Sequence, residues 1–507
     1  MQYHRIIMPS GFLNKMNSTT SPLDWIRSLA IMLASLLIAI VFGLIATTAN
    51  LIAVSIAVAF FAGLFLLTRP IWIVWLVFLI GLLVVGPAPL YNETLDPKAG
   101  WPSQILCFFL MIVALFNAAT NPGTRKDTPL YIWLMLCFFV YAVLNSMAHW
   151  HSTLEFFGGI KRYFQMWGLL FALCWMAFDE RTIHRWLVFF LIVALMQFPF
   201  SLYEFIAWVP MREGMRSYTP GLVPMDIVAG TFGSTIYGGG ASGEMATFLV
   251  IVVAFLLARK MQKLLSLSRL LLLIPVVLAP LFISETKAMI VMFPLMLLVL
   301  YRRELFARPH YAVIAMIVGT LLTVGMGYAY LIITQMSFDQ LFADTLSYNL
   351  YEKGYGLSYL NRTTVLTFWA SHQGAHDPVS FVFGNGLGSA HEKTGGHVDI
   401  RYPHYGIGLT AASTLLWDTG VFGCGLIVAI FVTAWRTAGR LYRQSIEPTV
   451  RADAAAIQAS LSLFAFHIFY RLDILETVSI QIVFASVLGY LAWLYRRHAA
   501  LMIRSRQ

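Results

Sequence analysis

Charge is what this 507-residue chain has least of: Asp, Glu, Lys and Arg together make up 11% of it, where a soluble domain carries about 25%. So large a chain with so few ions cannot cover itself with a solvated surface, which excludes the soluble globular classes. Cysteine is scarce as well. Cys107, Cys137, Cys174 and Cys424 all lie inside apolar runs, so neither a disulfide framework nor a thiolate metal site is expected. His391 and His397 are spaced without a third ligand nearby, a poor metal signature. The glycine groups at 238–243 and 384–388 follow no strand and contain no P-loop lysine, so nucleotide binding finds no support. No cofactor, metal or nucleic-acid partner is expected. No small-residue cleavage site closes the first apolar run, which reads as a retained helix rather than a signal peptide.

What the chain has is hydrocarbon. It is 59% hydrophobic, with a mean hydropathy of +0.74. Its apolar runs are roughly 17–25 residues long, enough to cross a ~30 Å hydrocarbon core as helices. They lack the alternation of barrel strands, and backbone groups in lipid must be satisfied within the segment. The pattern predicts an all-α polytopic integral membrane protein. Spans are expected near 28–48, 50–67, 70–88, 104–119, 129–148, 162–178, 185–207, 244–258, 269–284, 287–301, 311–334, 407–435, 455–470 and 475–495. Residues 149–161 read as either a loop or a re-entrant piece.

With residues 1–27 as a cytoplasmic segment, every turn on that side carries Lys or Arg, as the positive-inside rule requires. The even span count then returns 496–507 to the cytoplasm as a tail, leaving 28–495 as one membrane domain without internal repeats. Two long segments fall on the outer side, 208–243 and 335–406. Loops of more than about 15 residues are usually functional or disordered, and the Gly turns and aromatics of these two argue for order.

The outer side holds Lys98, Lys161, Arg162, Arg212, Arg216, Lys287, Lys353, Arg362, Lys393, Arg401 and Arg471. Arg offers a planar, permanently charged fork that matches phosphate oxygens. A cluster of such groups at the membrane rim suits a lipid diphosphate. The plainer alternative is ordinary loop charge paired with Glu204, Glu213, Asp226 or Asp399, since surface ion pairs are common and contribute little. Arg216, Arg362 and Arg401 stand out because they lie in the long loops. Lys287 lies with Glu285 in a tight junction between two spans, where an ionisable pair serves either function or structural cohesion.

His404 stands where the long loop meets the next span, and a neutral imidazole there can take a proton from a hydroxyl. His372, His376, His391 and His397 have no fixed helical phase and read as solvated. Asp418 follows His404 at roughly 21 Å if one straight helix joins them, so it is expected to anchor that helix inside the bundle. Gly384, Gly386 and Gly388 allow a backbone to approach a neighbour closely.

These blocks resemble the O-antigen ligase and polymerase superfamily of bacterial envelope polysaccharide enzymes. The resemblance rests on Arg216 followed by Gly230-Thr231-Phe232-Gly233, on the Ser284-Glu285-Thr286-Lys287 hairpin, and on Arg362, Trp369, Gly384, Gly386, Gly388, His404, Asp418, Gly420 and Gly423 in that order. It covers about 186–435. The chain departs from the family pattern in having Lys287 where Arg is usual and Tyr405 where Asn follows the His. The resemblance implies a metal-independent glycosyltransferase of the bacterial inner membrane, active on the periplasmic face, whose donor is a glycan on undecaprenyl diphosphate. Other polysaccharide assembly proteins are implied as partners.

In that reading Arg216, Lys287, Arg362, Arg401 and Arg212 serve the diphosphate, and His404 serves the acceptor hydroxyl. Trp369 and Tyr405 stack on sugars. Repeat-unit polymerisation and glycan transfer to lipid A-core share this donor chemistry. A transporter without bond chemistry is the rival class, but the first five spans contain no charged residue, whereas transport paths place ionisable groups near the midplane.

Overall fold

Each apolar run folds as a helix because a helix satisfies its own backbone hydrogen bonds where water is absent. The computed structural model describes residues 69–91, 98–215, 217–218, 222–237, 240–284, 286–307, 358–374 and 376–504, with isolated positions between 310 and 343. The expected spans 28–48 and 50–67, and nearly all of 311–334, lie outside the described residues. Among the described residues seven helices are long and apolar enough to cross a membrane: Trp101–Thr120, Leu130–Ala148, Glu180–Met215, Ser242–Met261, Ala411–Gln444, Pro448–Tyr470 and Val478–Leu501. Pro70–Val84 and Leu267–Ile283 are shorter apolar helices. Met289–Ala307 carries Arg302, Arg303 and Glu304 one turn before its C-terminal end. The only β feature among these residues is an isolated bridge between Ser234 and Gly240. The protein is an all-α, multi-pass membrane protein.

One expected span, 162–178, takes a different form. Thr153–Phe164 is an amphipathic helix capped by Ser152, whose hydroxyl accepts from the Glu155 N–H at 3.1 Å. The chain breaks at Gln165 and Met166, and only Trp167–Trp175 continues, nine residues that are all buried. Nine residues rise about 14 Å, too little to cross alone. The break is polar. The Gln165 amide donates to the Glu476 carbonyl at 2.6 Å and accepts from Gln104 at 2.8 Å. Residues 149–161, open between loop and re-entrant readings, are thus mostly helix.

The Pro448–Tyr470 helix is the hub, packed by Ala411–Gln444, Ser242–Met261, Met289–Ala307 and Val478–Arg504. Its buried Ala452, Ala454, Ala456, Ala459 and Ser460 let neighbouring backbones come close, which is how helices associate where lipid and side chain are equally apolar. Large apolar side chains such as Ile112, Phe116, Leu144 and Leu272 remain exposed on the peripheral helices, as lipid contact requires. At one end of the bundle Arg259 forks onto Asp453 at 3.0 and 3.1 Å, and the Tyr490 hydroxyl donates to the same carboxylate at 2.6 Å. The described residues of 208–243 and of 358–406 lie at the other end.

The expected span 407–435 starts later, at Ala411, with Thr410 and Ser413 forming a reciprocal cap. It is also interrupted: Gly420 has φ 63° and ψ −170°, a conformation closed to other residue types. The interruption orphans three carbonyls, and each finds a donor. Trp417 receives the Asn385 N–H and side-chain amide, both at 2.9 Å. Asp418 receives Gly386 N–H at 3.0 Å and the Asn145 amide at 3.2 Å. Thr419 receives the Tyr141 hydroxyl at 2.8 Å.

The Asp418 carboxylate then holds the glycine loop. It accepts from Gly388 N–H at 3.0 Å, Ala390 N–H at 3.1 Å, the Ser389 hydroxyl at 2.7 Å and the Tyr163 hydroxyl at 2.9 Å. Gly384, Gly386 and Gly388 all have positive φ (78°, 91° and 87°), which lets the loop fold back over the interrupted helix. Asp418→Ala strands these buried donors at about 1–3 kcal/mol each. We expect a lower melting temperature in detergent and faster tryptic cleavage at exposed Lys393. Unchanged melting and cleavage would contradict this role.

Candidate functional site

The loop-bearing end is organised by the short link that joins the Pro448–Tyr470 and Val478–Arg504 helices. Its residues Arg471 and Asp473 meet one part of the molecule and Glu476 another. Arg471 lies 2.5 Å from Asp473 and 3.5 Å from Glu244 on the Ser242–Met261 helix. Its carbonyl accepts the Ala411 N–H at 3.1 Å. Glu476 is paired at close range with both Arg162 and His391, joining the amphipathic helix to the glycine loop. Arg162 is further held by Gln481, which donates to its carbonyl at 2.7 Å. Burial pushes the Asp473 carboxyl up, but Arg471, Glu244 and His467 together hold it below the ordinary carboxylate range.

Arg362 joins the same link. Its Nε donates to the Tyr470 carbonyl at 2.8 Å, and its guanidinium lies 4.4 Å from the Tyr470 ring centre, a cation–π contact. His404 is tied to the segment carrying Arg362: its carbonyl accepts from Tyr359 N–H at 2.9 Å, and that of Tyr405 from Leu360 N–H at 3.2 Å. His404 itself is exposed and has φ 66°, uncommon for a residue with a side chain and worth a functional question. It precedes the Ala411–Gln444 helix by a loop rather than entering it directly, so no straight helix joins it to Asp418.

A third element of the site is formed by the described residues of the segment 208–243. Glu204 accepts the N–H groups of Ala229 and Gly230 at 2.9 and 2.6 Å, and Gln197 accepts that of Thr231 at 2.9 Å. The Gly230–Gly233 turn is thereby pinned to the Glu180–Ala207 helix. Val209, Ile227 and Val228 then pack in one apolar cluster with Ile283. That packing draws Arg212, Asp226 and the Lys287 junction to one place. Burial pushes the Asp226 carboxyl up, while Arg212, Arg471 and Lys287 together pull it down; the net direction is upward. Asp226, one of the acids expected as a plain loop-charge partner, thus feels the charge of three of the cations expected on the outer side.

Of the residues singled out in the sequence, Lys287, Arg362 and Arg212 are brought to the surroundings of the Arg471 link, and His404 to the segment beside Arg362. Arg401 ends the His397–Arg401 helix and is exposed. Arg216 and Glu285 lie outside the described residues. Trp369 is buried; its indole N–H donates to Gln373 at 2.8 Å and its ring stacks on Phe381 at 4.8 Å. Tyr405 packs on Phe368 and Tyr359. Both aromatics belong to the apolar core of the loop region, with Val365, Val398, Ile407 and Trp417. His397, read as solvated, instead bonds Glu155 at 2.8 Å and stacks on His151 at 3.8 Å.

Asp473 and Glu476 were missed in the sequence, and Arg162 and Arg471 were read only as members of a charge list. Their one signal is density: three charged residues within 471–476, between two apolar helices.

Compared with models of known protein families and with curated protein sequences, the chain matches none.

Removing one partner of a partly buried pair leaves the other charge uncompensated. Combining Arg162→Met with Glu476→Gln therefore gives a coupling energy of about 1–3 kcal/mol in a double-mutant cycle, read from melting in detergent. Additive single effects would show that the Glu476 junction does not hold the loop to the bundle.

Proposed function

We propose that the chain is a membrane-embedded glycosyltransferase that polymerises repeat units carried on undecaprenyl diphosphate. It works at the periplasmic face of a bacterial inner membrane. The observation that carries this reading is a run of contacts among residues far apart in sequence. It passes from the His404 backbone through the Tyr359–Arg362 segment to Tyr470 and Arg471, and from there to Glu244; Arg212, Lys287 and Arg471 all act electrostatically on Asp226. Cations and an imidazole from separate segments share one end of the bundle, opposite the end where Arg259, Arg302 and Arg497 cluster. That asymmetry supports the expected orientation, with the loop-bearing end outside.

In the proposed reaction the acceptor hydroxyl attacks the anomeric carbon of the donor glycan. The bond from that carbon to the phosphate oxygen breaks, and undecaprenyl diphosphate leaves with the electron pair. His404 takes the hydroxyl proton. Lys287 and Arg362, with Arg216 carried over from the family resemblance, oppose the charge that grows on the departing diphosphate. The unusual backbone of His404 supports its assignment, because strain of that kind persists where geometry matters to function.

Two substitutions test the reading in cells. His404→Ala abolishes long surface glycan without lowering protein level; normal chain length would remove His404 from the mechanism. Arg216→Lys lowers polymer yield, since a point charge replaces a fork; full yield would reduce Arg216 to simple charge screening. A deletion strain separates the two related activities. Single repeat units on a normal acceptor indicate a polymerase, whereas long chains accumulating on the carrier lipid indicate a ligase.

A further inference from the structure

The Glu180–Ala207, Ser242–Met261 and Val478–Arg504 helices meet at the end of the bundle opposite the candidate site. Arg497 pairs with Glu180 there at 3.0 Å, the Trp493 indole N–H donates to the Phe178 carbonyl at 3.1 Å, and Arg259 and Tyr490 share Asp453. Beyond these ties the three helices leave a partly open crevice of about 780 Å³. Leu191, Phe248, Val252, Phe255 and Val487 line it, with Arg259 and Tyr490 at its charged end. Phe248 and Arg259, the first and last lining residues on the Ser242–Met261 helix, are eleven positions apart, about 16 Å along a helix. That is the depth of one leaflet, half of a ~30 Å hydrocarbon core. Val188 on the rim and Ile192 one turn further are exposed within a membrane-spanning helix, so the open side faces lipid chains rather than water.

Two features define the chemistry of an occupant. The first is charge. Arg181 and Arg185 are exposed and lie on the same helix face as Val188 and Ile192, at spacings of four, three and four residues. Lys260 and exposed Lys263 end the Ser242–Met261 helix. Among the described residues none of these four forms an ion pair. The neighbouring acids Glu180, Glu447 and Asp453 are taken up by Arg497 and Arg259, which leaves Asp179 to offset four cations. The second feature is Ser486. It lines the crevice, and its hydroxyl is buried without a hydrogen-bond partner, a costly state for a donor. Ser486 is four residues from Tyr490, hence one turn, about 5.4 Å, deeper than the charged end.

We infer that this crevice holds one acyl chain of an anionic phospholipid, drawn from the leaflet at the Arg259 end. The headgroup phosphate sits among Arg185, Lys260 and Lys263, an ester carbonyl accepts from Ser486, and the chain fills the space as far as Phe248. Cations near a membrane surface favour anionic lipid, whereas a zwitterionic headgroup brings its own cation and gains less from them. A prenyl chain carries no ester to meet Ser486. The site is independent of the proposed glycosyl transfer, since no residue named for that reaction takes part.

The test uses the full-length protein in nanodiscs titrated with phosphatidylglycerol that carries a photoreactive diazirine on one acyl chain. Crosslinked peptides are then mapped by mass spectrometry. Crosslinks concentrate on 187–191, 248–256 and 483–487. Arg185→Gln and Lys263→Gln each lower the apparent affinity by about fivefold, the share of one cation near an anionic surface, and leave a phosphatidylethanolamine analogue unaffected. Leu191→Trp fills the crevice and removes these crosslinks. Should Leu191→Trp misfold, the two charge variants carry the test through headgroup selectivity. Crosslinks spread evenly over exposed lipid-facing residues such as Ile112 and Phe116 would overturn the site. Equal affinity for the phosphatidylethanolamine analogue would overturn it too, and displacement of the label by unlabelled undecaprenol would give the crevice to a prenyl chain instead.

Discussion

The interruption of the Ala411–Gln444 helix at Gly420 is the constraint on which the loop-bearing end depends. A helix that stops inside an apolar bundle exposes carbonyls that nothing in lipid can satisfy. The glycine loop at 384–390 supplies the missing donors, and Asp418 returns the favour by accepting the loop's own N–H groups. Each side completes the other. The exchange fixes the loop's path, and the path delivers His391 to Glu476 and His397 to Glu155. A buried carboxylate is costly when unpaired, but four donors surround this one, so its burial becomes a source of specificity for one loop conformation.

From that anchor the ionic link at 471–476 extends the order outward. Arg471 and Glu476 reach in opposite directions, one toward Glu244 and the outer segment 208–243, the other toward Arg162 and the glycine loop. Arg362 is bound to the same link through Tyr470. Among the described residues Arg162, Arg362 and Arg471 are thus gathered around one short connection. Ion pairs at an exposed surface contribute little. Here they are partly buried and cross-connected, and they position groups that can meet an anionic ligand.

The membrane frame was legible in the sequence because a run of hydrocarbon side chains has one stable solution in lipid. The runs at 104–119, 129–148 and 185–207 became helices with edges shifted by a few residues. The run at 162–178 misled because its composition is apolar on both sides of Gln165, and a single amide does not announce a break. Its partners, Gln104 and Glu476, are distant in the chain. The ionic junctions were hidden for the same reason: Arg162 and Glu476 are 314 positions apart, and no local pattern encodes such a pairing. Trp369 and Tyr405 illustrate a different ambiguity. An aromatic in a polar loop can face a sugar or build the loop's own core, and composition does not distinguish the two.

The account stands on a lipid diphosphate being both the ligand of the loop-bearing end and the leaving group of the reaction. The most direct measurement uses purified full-length protein in liposomes, supplied with an undecaprenyl-diphosphate-linked oligosaccharide, and follows both products by mass spectrometry. The account predicts lengthened glycan on the carrier together with one free undecaprenyl diphosphate for every unit added. Recovery of the donor unchanged, or its movement across the bilayer with every glycosidic bond intact, would contradict it.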